Sequence, residues 1–158
     1  MSLLTDIIFV KALRSNPELL AKLAAGDVYN TTIPVPDAEL DNTPVPYVIV
    51  MFNGLQNGDQ TKDSLYEGGT DHVQIGIEVV ADTREQLADL VTSIRKTVRT
   101  FFENAQPTDE DFDLIPIDYT FSAERIFYDD IKPAYGQMLN YQCDMDVNLT
   151  DDDNEQEE

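Results

Sequence analysis

Residues 71–81 read DHVQIGIEVVA and residues 83–102 read TREQLADLVTSIRKTVRTFF, and these two stretches decide the fold. In the first, Val73, Ile75, Ile77 and Val79 fall on one side and His72, Gln74 and Glu78 on the other. That period of two is the mark of a strand with one buried face. In the second, Leu87, Leu90, Val91, Ile94, Val98, Phe101 and Phe102 form one stripe at helical spacing. Thr83 and Gln86 have capping-box spacing, and Glu85 lies near the amino end. Arg95, Lys96 and Arg99 sit toward the carboxyl end, where the helix dipole favours cations. A strand that runs straight into a helix of about 18 residues is predicted.

Working outward, residues 3–14 place Leu4, Ile7, Ile8 and Leu13 at helical spacing, with Asp6, Lys11 and Arg14 between them. Asn16 then Pro17 is an N-cap followed by the favoured first helical residue; Leu19, Leu20 and Leu23 share a face, and Gly26 suits a left-handed closing position. Pro34, Pro36, Pro44 and Pro46 bracket a polar stretch, after which Tyr47 to Phe52 is a bulky run of strand length. Gly54 to Gly69, with Asn57-Gly58 and Gly68-Gly69, reads as a loop or long hairpin of a length that commonly serves a function. Beyond the long helix, Gln106 to Asp113 is an acidic connection. Ile117 to Tyr128 and Gln137 to Leu149 read as two more strands joined by a turn at Asp130 to Gly136. In the last of them Leu139, Tyr141, Cys143, Met145 and Val147 point one way.

The predicted order is helix, helix, strand, strand, helix, strand, strand. It implies an α+β fold, a mainly antiparallel sheet of four to five strands with amphipathic helices packed on one face. We expect a single domain over residues 1–149 and an acidic disordered tail over 150–158.

A chain of 158 residues builds one hydrophobic core. Its net charge is −21, and −15 remains when the six acids of residues 151–158 are set aside. Such a surface repels phosphates, which argues against nucleic-acid binding through basic residues and against anionic membranes. Cys143, the sole cysteine, permits no internal disulfide and no cysteine zinc cage, and His72, the sole histidine, leaves metal sites to carboxylates. The expected compartment is reducing. No targeting segment is expected at the amino end, and no apolar run approaches the length of a membrane span.

Catalytic chemistry finds little to build on. Asp109, Asp111 and Asp113 mimic the first ligands of a calcium loop, but Leu114 and Thr120 stand where that loop needs Gly and Glu. Gly68-Gly69 is followed by no phosphate-loop lysine. His72 and Asp71 are neighbours on a strand and point to opposite faces, so they form no base and orienter. Cys143 on an apolar face behaves as a small hydrophobe. No catalytic residue, cofactor or metal is therefore assigned.

The chain does resemble a family: the tail terminator, or tail completion, proteins of long-tailed bacteriophages and prophages. The resemblance lies in the Leu-Ala-Ala-Gly-Asp-Val-Tyr of residues 23–29, the Pro-Tyr-Val-Ile-Val of 46–50, and Thr70 and His72 leading into the alternating strand. Ile94-Arg95 within the helix and Asp129-Asp130 between the closing strands complete it, so that it spans residues 3–149. The order and spacing of these short motifs carry the likeness. It implies a non-catalytic virion protein, made in the host cytoplasm, that forms a hexameric ring on the tail tube protein and receives the head-tail connector protein. The stretches 54–69 and 105–113 and the acidic tail depart from the family pattern.

Candidate contact residues for subunits or partners are Asn57, Lys62, Tyr66, His72, Arg95, Lys96 and Arg99. A ring wall rich in carboxylates would let DNA slide without holding it. Two other readings remain: an acidic DNA mimic, or other protein-binding module, that fills the basic groove of a nucleic-acid enzyme, and an enzyme built on the acids at 109–113.

Overall fold

A computed structural model describes residues 2–32, 44–57, 69–104, 114–131 and 133–147. A 3-10 turn, Ser2–Leu4, leads into α1, Thr5–Arg14, then α2, Pro17–Ala21, and β1, Tyr29–Asn30. The hairpin of β2, Tyr47–Asn57, and β3, Gly69–Ala81, precedes α3, Arg84–Glu103. Three strands close the chain: β4, Leu114–Ala123, β5, Phe127–Asp129, and β6, Ala134–Val147. The fold is α+β, and the sheet runs β1-β2-β3-β6-β4 with β5 also on β6. Every pairing is antiparallel except the short parallel one between β1 and β2.

The alternation at 71–81 becomes the core row of β3, with Val73, Ile75, Ile77 and Val79 all buried. Leu139, Tyr141, Cys143 and Met145 of β6 continue it on the same face. Onto that face α3 lays Leu87, Leu90, Ile94, Val98 and Phe102, as its stripe predicts. Burying each such side chain contributes on the order of 2 kcal/mol. Thr83 caps the helix by accepting from the Gln86 amide at 3.1 Å, while the Gln86 side chain accepts from the Asp82 amide at 3.0 Å. Asn16 caps α2 through the amides of Glu18 and Leu19, and its own amide donates to Thr97 Oγ1 at 3.0 Å, tying α2 to α3. Phe9 of α1 stands between Phe102 and Tyr141, which joins the two long helices to the sheet through aromatic rings.

Several expectations change. In α1, Ile7 is exposed, and Phe9 and Val10 join Ile8 and Leu13 inside, because the helix meets both α3 and the sheet and so buries a wider arc. Gly26 does adopt a left-handed φ of 65°, five residues beyond the end of α2. The stretch from Gly54, read as a loop or long hairpin, takes the hairpin form where it is described, since β2 continues to Asn57 and β3 starts at Gly69; 58–68 lies outside the described residues. The expected strand 117–128 is two, β4 and β5, separated at Glu124–Ile126 by a one-residue slip against β6. The last strand begins at Ala134 rather than Gln137, so the turn is tighter. With β1 the sheet reaches six strands. The acidic connection at 105–113 and the tail at 150–158 lie outside the described residues.

Candidate interaction surfaces

One sheet face carries the helices, and the other is free of helices among the described residues. Two glycines shape that second face: a Cβ on Gly76 would collide with the Asn53 side chain, and one on Gly136 with the Phe127 ring. Across its middle lie Asn53, Gln74, Thr120, Ser122, Asn140 and Gln142, amides and hydroxyls without a charge. Toward one end of the sheet the charges return. His72 on β3 and Asp144 on β6 are register partners, and Nδ1 meets the carboxylate at 2.6 Å. Asp71 faces the other way and accepts from Asn57 Nδ2 at 2.8 Å. The sequence placed His72 on the polar face of its strand but not beside Asp144; that partner lies 72 residues away, and alternation alone does not reveal which strand will lie beside β3.

At the opposite end Glu78 is half-buried beside Ile49 and Met138, and burial raises its pKa. Burial, and then the Glu78 and Asp129 charges, raise that of Tyr47. The hairpin of β5 and β6 projects from this end with Phe127, Tyr128 and Ile131 exposed, Ile131 at 97%. Together with exposed Phe127 and Tyr128, this nearly bare isoleucine makes the hairpin tip a candidate contact surface, one not singled out from the sequence. Its signal is there: Ile131 is an apolar residue between Asp130 and Lys132, where a turn would ordinarily be polar.

The basic candidates belong to the helical layer instead. Arg95 lies over the Phe121 ring of β4, 4.3 Å from its centroid, a cation–π contact. Arg99 pairs with Glu103 one turn on at 2.8 Å, on the exposed side of α3. Lys96 lines an open groove of about 740 Å³ between α2 and α3, where Lys22 bonds Asp89 and Ser93 at 3.0 Å each. The structure therefore brings Asn57 and His72 to one end of the sheet and Arg95, Lys96 and Arg99 to α3, as two separate groups. Lys62 and Tyr66 lie outside the described residues.

No metal-ligating cluster of three His, Cys, Asp or Glu occurs among the described residues. Among them, too, no helix is long and apolar enough to cross a membrane. Cys143 is fully buried, and burial pushes its thiol pKa up, the reverse of what a nucleophile needs. Tyr141 is buried with its hydroxyl unpaired among the described residues, and its pKa is raised by the same cause.

Charge is distributed unevenly along the chain. The stretches 33–43, 58–68, 105–113 and 148–158 hold 16 of the 31 acids and one base, Lys62. The described residues hold 15 acids and eight bases, a net charge of only −7. Many of those acids are engaged, Asp6 with Asn30, Asp27 with Arg14, Asp89 with Lys22 and Glu124 with Asn140.

No family model matches the chain, and no curated protein matches it in sequence. Among solved structures its fold is similar to that of a chain in the virion of a native gene transfer agent particle, with a TM-score of 0.54. The two are 11% identical, and the likeness covers 87% of this chain and 91% of that one.

Proposed function

We propose that this chain is a structural protein of a phage-like virion: an oligomeric ring that caps the tail tube and joins the tail to the head connector. The observation that carries the reading is the likeness of fold to a gene transfer agent virion chain over nearly the full length of both. The order of motifs shared with tail terminators points the same way, and so do surfaces suited to contact, an exposed hairpin tip and a helix-free sheet face. Partner-facing roles fall to the Phe127–Ile131 tip and the basic residues of α3, and no catalysis is required. The DNA-mimic reading has less support, because several of the described carboxylates, those of Asp6, Asp27, Asp71, Asp89 and Asp144, are engaged with neighbours.

The test is to add the purified protein to a polymerising phage tail tube protein and to measure tube lengths by electron microscopy. Shortened tubes, each ending in a ring of this chain, are expected. Tubes of unchanged length with no bound protein would overturn the reading.

A further inference from the structure

The sheet ends in two strand edges. Beyond Val50, where β1 stops, no described strand pairs with the outer side of β2, and none pairs with the outer side of β4. Each edge is a row of backbone donors and acceptors, and proteins normally guard such rows with charged side chains. Here charge hardly guards them, although β4 contains Pro116 and each edge carries a bulge. Met51–Asn57 contains no charged residue and Leu114–Ala123 only Asp118, whereas the average of 26% charged residues would place about four in those 17 positions. A chain of net charge −21 has thus kept its charges off both edges. Each edge also exposes one large aliphatic side chain, Leu55 on β2 at 40% and Ile117 on β4 at 52%.

The two edges match in level and direction. Leu55 pairs with Val73, Val73 with Cys143 and Cys143 with Tyr119, so Leu55 and Ile117 stand within two residues of the same height across the sheet. Successive pairings are antiparallel, which makes β4 run opposite to β2. A second copy set beside the first in the same orientation would therefore bring its β2 antiparallel to β4, the more favourable pairing.

We propose that β4 of one copy pairs antiparallel with the outer edge of β2 of the next, with Ile117 against Leu55, so that the sheet continues from subunit to subunit. The occupant is a second copy because it brings, at the right height and in the antiparallel sense, the complementary edge, nearly free of charge and with an exposed aliphatic residue of its own. The contact is head-to-tail, and such contacts close into rings or run on as filaments. A bulge on each edge, at Asn53–Gly54 and at Ile117, makes neither a flat template for indefinite growth and so favours closure. This inference rests on the ring reading above and names the contact that builds the ring.

The experiment is sedimentation velocity in about 0.3 M salt on the full chain and on Leu55→Glu and Ile117→Glu, whose side chains are exposed. The parent should sediment as a closed oligomer and each variant alone as a monomer with an unchanged thermal melt. An equimolar mixture of the two variants should give a heterodimer that grows no further, since a single pair of intact edges remains. If either variant melts early, Gln56→Glu or Thr120→Glu, on the same edges, replaces it. Dimerisation of one variant alone, oligomers indifferent to both substitutions, or a monomeric parent would each overturn the proposal. Rings that form through these edges but leave tube length unchanged would instead overturn the proposed function and leave the edge contact standing.

Discussion

Glu78 lies toward the end of β3, where the helix-free face turns partly apolar, with Ile49 on one neighbouring strand and Met138 on the other. Half-burial there disfavours the carboxylate, and its pKa lies above the ordinary carboxylate range. A group that binds its proton more tightly in the folded than in the unfolded state lowers stability as pH rises between the two pKa values, and above both the full cost persists. Glu78→Gln should therefore melt at a higher temperature than the parent at about pH 7, with the gain shrinking toward about pH 4, where the parent side chain is protonated. Thermal melts at several pH values check this, and a gain that grew on acidification would contradict it. Sequence alternation did place Glu78 and His72 on the polar face. It left their neighbours unread, because the register that sets Asp144 beside His72 is fixed by the whole length of β6 against β3.

For elements, legibility followed the helical layer. Under α1 and α3 the strands bury one face, and the resulting alternation made β3 and β6 readable, just as the stripe of α3 made that helix readable. Where β2 passes Phe52 its pattern becomes Asn-Gly-Leu-Gln-Asn with Leu55 exposed, so the strand persists on backbone pairing with β3 and leaves no side-chain period to read. β1 is two residues long and has no period at all. The slip at Glu124–Ile126 is bridged by Glu124 donating its amide to the Met138 carbonyl at 2.9 Å, a feature of β6 as much as of β4. Of the candidate contact residues, those on α3 were legible as a basic group through dipole logic; the Phe127–Ile131 tip was not, because exposure of an apolar residue depends on how far its hairpin projects. The capping box at Thr83 was legible, and it can be tested. Thr83→Ala leaves the Gln86 amide without its acceptor and should cost about 1 kcal/mol of stability, measured by urea denaturation with the slope unchanged. An effect below the error of the measurement would mean that water serves the helix end as well as threonine does.

At the scale of the molecule, the proposed ring raises the question of how a chain of net charge −21 would assemble with itself. The described residues carry only −7, while the stretches 33–43, 58–68, 105–113 and 148–158 concentrate 16 acids. If copies meet along uncharged strand edges, repulsion acts over distance between these acidic stretches rather than within the contact, and distance is what salt screens. The screening length falls from about 10 Å at 0.1 M salt to about 3 Å at 1 M. Self-association measured by light scattering should therefore strengthen as salt is raised, the opposite of an interface held by ion pairs. Truncation after Leu149 removes six acids and, since β6 ends at Val147, breaks no described pairing. The truncated chain should associate at a lower salt concentration than the parent and approach the parent's behaviour at high salt, where the tail's charge is already screened. Association that weakened on adding salt, in either chain, would place the basic residues of α3 at the contact instead of the sheet edges, with Lys96 and Arg99 pairing against acids of the neighbouring copy.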